Sequence, residues 1–230
     1  MTTRGIVILA SCAVALAVAA FVFVGRFSSP KSVAVSAREN MMELLGARIA
    51  KLRPDANVLA LGNPFSKESG YFDERRQFEQ AGLRGLRQGL GGRAEVKVLF
   101  PRIRPEYLAN PQSVVIPPDS RTPLSFLIEA ASVEELADAH PEYRVIVSLI
   151  GLPMGIDRLK LWSQEDARCF ALLLPDLRLL GSPAKTVEAF QQGKLLAVVV
   201  EDSQQPSEPL IVTRENIQAV LQRQPKVFGF

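Results

Sequence analysis

The chain predicts an α/β fold: a single domain built on one mostly parallel sheet with helices on both faces, preceded by an N-terminal transmembrane helix. Three observations carry that reading. The stretch Val145 to Pro153 is apolar on both alternating faces and breaks at Gly151 and Pro153, as expected of a central strand covered by helices on both sides. Strand-like and helix-like patterns alternate from Asn57 to Arg223, the order that a layered α/β sandwich requires. Gly5 to Gly25 is a run of twenty-one residues without a charge.

Length and composition set the bounds. The 230 residues, less a membrane segment and its flank, suffice for one domain with a full core. Net charge is +3 and aromatic residues make up 7%, so nothing suggests nucleic acid, which would demand a clustered basic face, and no nucleic-acid partner is expected. Of the two cysteines, Cys12 lies in the apolar run and Cys169 opens a strand, so no disulfide within the chain is expected.

At about 1.5 Å per residue, Gly5 to Gly25 crosses a hydrocarbon core of about 30 Å. The lipid bilayer is therefore the first expected partner. The run exceeds the about 7 to 15 apolar residues of a cleaved signal peptide, which favours an uncleaved anchor over cleavage after Ala17 or Ala19. Leu9-Ala10-Ser11-Cys12 offers lipidation of Cys12 as a minor alternative. A prepilin site at Arg4-Gly5 is rejected because Ala10 stands where its glutamate belongs. Flanking charges orient the segment poorly, with Arg4 on one side and Arg26, Lys31 and Arg38 on the other. The short N-terminal tail resembles the start of an export signal, which places the rest of the chain outside the cytoplasm on a single-pass anchor. The expected divisions are residues 1–26 as anchor and flank, 27–54 as linker and juxtamembrane amphipathic helix, and 55–230 as the extracytoplasmic domain.

Ser36 and Glu39 form a capping-box pattern ahead of a helix carrying Met41, Leu45, Ile49 and Leu52, which Pro54 stops. That stripe either covers the sheet or makes a homodimer contact beside the membrane. Asn57 to Leu61 is the first buried strand, followed by the turn-forming loop Gly62 to Ser66. A helix over Asp73 to Leu90 places Phe78, Gly82, Gly85, Leu86 and Gly89 on one face. Three interior glycines, each costing up to about 1 kcal/mol, imply close packing on a neighbour. Glu95 to Phe100 alternates like an edge strand. Pro101 to Pro123 is a long irregular excursion in which Val114 to Ile116 would add a short strand, and Pro117 to Thr122 is a loop of the kind that carries function.

Ser132 and Glu135 make a second capping box, opening a helix to about Ala139. Phe170 to Leu174 is the next strand. Ser182-Pro183 then supplies an N-cap and first-turn proline for a helix that Gly193 closes. Leu195 to Val200, a short strand at Ile211-Val212 and a final helix capped by Thr213 complete the chain. The implied sheet is Rossmann-like, with a flavodoxin-like strand order. In such sheets the ligand crevice lies beyond the carboxyl ends of the strands where the order reverses, here Gly62 to Ser66 opposite Gly151 to Gly155.

No catalytic or cofactor motif survives inspection. His140, the one histidine, precedes the central strand at the edge away from the crevice, so a structural role is expected and no metal site is. Lys185-Thr186 ends like a phosphate loop but lacks both glycines. There is no Gly-x-Ser-x-Gly elbow. No cofactor is expected. Asp157, Glu165, Asp166 and Asp176 stand near strand ends without a pairing the sequence can assign.

The strand-loop rhythm of Val145 to Pro153 and of Phe170 to Gly181 resembles one lobe of the type I periplasmic-binding-protein-like fold, where such a strand ends in a small-residue turn facing ligand. The similarity spans most of Asn57 to Arg223 as architecture. Those proteins close two lobes around a cleft and this chain has residues for one, so the resemblance implies a single-lobe envelope protein. The leading functional expectation is a non-catalytic module binding a small ligand or a protein partner through Asn63, Ser66, Arg121, Gly151 and Asp176. Arg121 would be the charge anchor and Gly151 would let backbone approach the ligand. The alternatives are a hydrolase using Asn63, Ser66, Asp119 and Asp176, or an assembly component of the envelope.

Overall fold

A computed structural model describes residues 30–66, 73–92, 94–202 and 208–230. Two compact units are distinguished, residues 1–37 and 38–230. Of the first, the described residues are helical. Gly5 to Gly25 lies outside the described residues, among which no helix is long and apolar enough to cross a membrane.

The second unit is built on a six-stranded sheet in the order β2-β1-β3-β4-β5-β6. The strands are β1 (Asn57–Leu61), β2 (Val96–Leu99), β3 (Tyr143–Ser148), β4 (Cys169–Leu173), β5 (Leu195–Glu201) and β6 (Pro209–Val212). The first five are mutually parallel and β6 runs antiparallel to β5. This is the flavodoxin-like order extended by one antiparallel edge strand. Strand residues alternate between two apolar layers, as the period of two dictates. Val58, Ala60, Val145, Val147, Ala171 and Val199 face one side, while Leu59, Leu61, Ile146, Phe170, Leu172 and Val198 face the other. Burial on both faces is why these strands read as continuous apolar runs.

Residues 38–52 of helix α1 (Pro30–Leu52) and helix α2 (Asp73–Gly89) cover the first face, with Met41, Met42, Leu45 and Ile49 packed beside Leu86 and Leu90. The stripe considered for a homodimer contact is thus buried in the chain's own core. Residues 38–52 of α1 belong to the larger compact unit and pack on the sheet. Helix α1 also starts before the Ser36 capping box, which sits within it. The α2 glycines pack as expected: a Cβ on Gly85 would overlap the Glu39 carbonyl oxygen, and one on Gly89 that of Glu43. Gly46 answers from α1, where a Cβ would stand 2.6 Å from the Leu86 oxygen.

The excursion after β2 holds α3 (Pro105–Ala109) and α4 (Leu124–Leu127). The short strand expected at Val114 to Ile116 is absent, and an isolated antiparallel bridge joins Ile103 to Ile128 instead. Helices α5 (Ala130–Asp138), α6 (Pro183–Gln191) and α7 (Ile217–Arg223) supply the second layer through Val133, Ala137, Ala189, Phe190, Ile217 and Val220. Ser132 is not the cap of α5. Its hydroxyl donates to the Glu129 carbonyl oxygen (2.7 Å) and accepts from the Arg102 N–H (2.9 Å), tying the excursion to the helix. Ser182 caps α6 as expected, accepting from the Lys185 N–H at 3.2 Å, a contact worth about 1 kcal/mol. Thr213 stands four residues before α7, where its carbonyl oxygen takes the Ile217 N–H. Ahead of β5, buried Lys194 donates to the carbonyl oxygens of Leu161, Asp166 and Arg168.

Candidate functional site

At the carboxyl ends of β1, β3 and β4 the chain leaves the sheet in three turns. After β1, the Gly62 N–H still donates to the Leu99 oxygen (2.9 Å). Asn63 then folds back through its side-chain oxygen, which accepts from the Phe65 N–H (3.0 Å). After β3, the buried Ser148 hydroxyl donates to the Gly151 oxygen (2.6 Å), closing a turn in which Gly151 has a φ of +81°. After β4, Leu174 holds a φ of +45°, a left-handed conformation that is strained for a branched residue and found where surrounding structure enforces it, often beside binding sites. Because β2 lies on one side of β1 and β3 on the other, this edge is where the strand order reverses.

A cavity of about 360 Å³ opens at this edge. Apolar walls come from Phe78, Leu124, Leu149, Ile150, Leu173 and Leu174, and the charged lining is Arg38, Arg75, Arg121 and Glu79. Its size is within the range of small-molecule sites.

Two of those charges are built into the core. Arg38 shares the α1 face that carries Met42, Leu45 and Ile49, which brings its guanidinium over the sheet edge, where Nη2 donates to the Leu149 oxygen (3.2 Å). Glycine at position 82 makes room for it, since a Cβ there would stand 3.2 Å from Arg38 Nε. Burial pushes the Arg38 pKa down, and the Glu79 charge acts the other way. Glu79, on α2, is 6% exposed. Its Oε1 accepts the Asn63 N–H at 2.9 Å and occupies the space that a Cβ on Gly62 would take. Burial pushes the Glu79 carboxyl above its ordinary range, against the opposing pull of the Ser66 hydroxyl, the Asn63 N–H and the Arg38 charge. Among the described residues, Glu79 Oε2 and Arg38 Nε are buried with no hydrogen-bond partner. They are an acceptor and a donor left unpaired on two side chains that line one cavity.

Of the five residues named from sequence, Asn63 and Arg121 line this cavity. Ser66 stands behind it, donating to the Asn63 oxygen (2.7 Å). Gly151 is buried below it, and the place of its missing Cβ is filled by Ser125 Oγ and by Thr122, whose Cβ would be 2.8 Å away. Asp176 lines a neighbouring cavity that also includes Arg121. Its carboxylate accepts from Arg178 Nε (2.9 Å) and Nη2 (2.6 Å). Burial would raise the Asp176 pKa, but the Arg178 guanidinium and the Ser120 hydroxyl outweigh it and hold the carboxyl below the usual range. Arg121 donates to Glu201 at 3.1 Å, with both side chains about half exposed. Arg38 and Glu79 were not among the five, although each is a charge placed on an apolar helical stripe. Glu79 precedes Gly82 and Leu86 by three and seven residues, and Arg38 precedes Met42 and Leu45 by four and seven.

No protein-family model and no curated protein matches the chain. Among solved structures it resembles a carbohydrate transporter from Acidothermus cellulolyticus 11B in complex with myo-inositol, with a TM-score of 0.49 and 12% identity over 83% of this chain and 62% of that one. An arabinose binding protein from Geobacillus stearothermophilus gives 0.47 and 10%, covering 79% and 62%. A periplasmic solute binding protein from Actinobacillus succinogenes 130z with bound D-allose gives 0.45 and 13%, again covering 79% and 62%. The chain spans about three-fifths of the length of these structures. The resemblance to these structures is one of architecture, at 10 to 13% identity.

Proposed function

We propose that the chain is a membrane-anchored, extracytoplasmic module that binds a small polar ligand in the cavity at the β1 and β3 switch point without transforming it. One observation carries this reading: Glu79 Oε2 and Arg38 Nε are buried and unpartnered on side chains lining the same cavity. Each buried polar atom left unpaired costs about 1 to 3 kcal/mol, and a ligand that pairs both recovers that cost on binding. The left-handed Leu174 on the wall supports it, because strain of this kind concentrates where a surface is held ready for a ligand. The anchor is Gly5 to Gly25, whose uncharged length matches a bilayer. Asn63 and Arg121 frame the cavity, while Ser66, Gly151 and Asp176 shape the turns beneath and beside it.

The groups considered for a hydrolase are engaged elsewhere. Asp119 and Asp176 both accept from Arg178, which favours binding over nucleophilic chemistry.

A thermal-shift screen of small polar metabolites against the full chain in mild detergent tests the reading. A ligand at about a hundredfold over its Kd adds about 2.7 kcal/mol, which raises Tm by roughly 5 to 10 °C in a chain of this size. Arg38→Met should abolish the shift. A hit that stabilises Arg38→Met as much as wild type counts against this cavity.

A further inference from the structure

We infer that the cavity takes an uncharged molecule with an apolar body and a single polar head of the carboxamide kind. The inference rests on the ligand-binding reading above and names the ligand class of that same site.

The charges of the lining are engaged within the protein. Arg121 donates to Glu201 at 3.1 Å, and Arg75 also has an interaction partner. Arg38 and Glu79 act on each other's charge, so a cation drawn to Glu79 meets Arg38 and an anion drawn to Arg38 meets Glu79. A charged ligand would give up its hydration to walls that offer it no unengaged counter-charge among the described residues, and burial on those terms is costly. An uncharged ligand avoids that cost.

Polar and apolar groups are segregated along the sheet edge. Asn63 and Glu79 meet at the end of β1, joined by the 2.9 Å bond from the Asn63 N–H to Oε1. Arg38 stands one turn further along α2, where a Cβ on Gly82 would come within 3.2 Å of its Nε. The lining then turns apolar: Leu149 and Ile150 follow β3, the neighbour of β1, while Leu173 and Leu174 end β4 and Leu124 comes from α4. At about 4.8 Å between strands, the ends of β1 and β4 lie about 10 Å apart. That span accommodates a head at β1 and a short apolar body over β3 and β4.

The open groups select the head. Asn63 Oδ1 accepts the Phe65 N–H, which leaves Nδ2 as a donor without a protein partner among the described residues, and Arg38 Nε–H is a second open donor. Glu79 Oε2 is an open acceptor. A carboxamide oxygen has two lone pairs for the two donors, and its N–H serves Oε2. An ammonium brings three N–H groups where one buried acceptor stands open, and a polyol brings several hydroxyls against apolar walls. Each group left unpaired is penalised.

The test is isothermal titration calorimetry on the full chain in mild detergent, at about pH 7.5, where carboxylate and amine probes are ionised. Four probes share a phenyl body and differ in the head: phenylpropanamide, phenylpropanoate, phenylpropylamine and L-phenylalanine. Myo-inositol is the polyol. Phenylpropanamide should bind at least about tenfold more tightly than any of the others, the ratio expected when one buried polar group goes unpaired. Asn63→Asp keeps the acceptor for the Phe65 N–H and replaces the Nδ2 donor with a charge, so it should weaken amide binding by about tenfold or more. Leu124→Ser, on the half-buried apolar wall, should weaken it as well. Binding of an ionised probe or of myo-inositol as tightly as the amide, lost in Arg38→Met, overturns the inference and leaves the ligand-binding reading intact. Amide binding that neither Asn63→Asp nor Leu124→Ser weakens also overturns it. So does absence of binding by all five probes, and the ligand-binding reading is then judged by the wider screen and its Arg38→Met control.

Discussion

Asp176 is buried while its partner Arg178 reaches toward solvent and also holds Asp119, so its charge is stabilised by one guanidinium at the edge of the core. Its folded pKa lies below the unfolded value of about 3.9. The stability it contributes is therefore fully present above about pH 4 and is lost as pH falls through the lower folded value. Asp176→Asn should lower stability near neutral pH by about 2 to 3 kcal/mol, and it should lose less than wild type on further acidification, as read by urea denaturation across pH. Equal acid sensitivity of the two proteins would show that the pair with Arg178 contributes nothing. At this scale the sequence was legible where lining residues sit on loops. Asn63, directly after β1, and Arg121, on the loop before α4, were named from sequence and line the cavity. Arg38 and Glu79 were missed because a charge on a helix ordinarily reads as a solvated face. The usable signal was their position within stripes otherwise made of Met, Leu, Ile and Gly. Gly151 was placed correctly on its turn, but its small size admits Ser125 and Thr122, neighbours that no local pattern reveals.

Helices α1 and α2 approach so closely that backbone meets backbone through Gly46, Gly85 and Gly89. Alanine is the better helix former by about 1 kcal/mol, so an exposed glycine would gain from the change. Gly85→Ala should instead destabilise by about 1 to 3 kcal/mol, because its Cβ would overlap the Glu39 oxygen and force the helices apart. Chemical denaturation decides the sign, and a stabilised variant would refute the close packing. Since Arg38 and Glu79 sit on these two helices, the same substitution should also weaken ligand binding. Strands were the most legible elements, being buried on both faces and hence continuous in hydrophobicity. Helix starts were legible only in part, Ser182 capping α6 as expected. The Ser36 and Ser132 capping boxes matched in spacing, yet Ser36 lies inside α1 and the Ser132 hydroxyl bonds Glu129 and Arg102. Tertiary partners outside a four-residue window decided both.

On the scale of the whole molecule, the strand order reverses at β1, between β2 and β3, which is where sheets of this kind bind ligands, and the alternation of strands and helices made the layered α/β class readable from the sequence. The width and charge of the cavity were not readable, because they arise from side chains of α1 and α2 and from a loop far away in sequence. The proposed anchor predicts where the module works. A reporter that is active only outside the cytoplasm, fused after Phe230, should be active and membrane-bound. An inactive but expressed fusion reverses the orientation, and a soluble exported product means that the anchor is cleaved. The central claim, that Arg38 and Glu79 are the polar floor of a ligand site, is tested most directly by a crystal structure of the chain bound to a ligand from the thermal-shift screen. The account predicts ligand density in the switch-point cavity, with ligand atoms within hydrogen-bond distance of Glu79 Oε2 and Arg38 Nε. Density confined to the neighbouring cavity beside Asp119, Arg178 and Phe230, with the Arg38 and Glu79 atoms still unpaired, would contradict it.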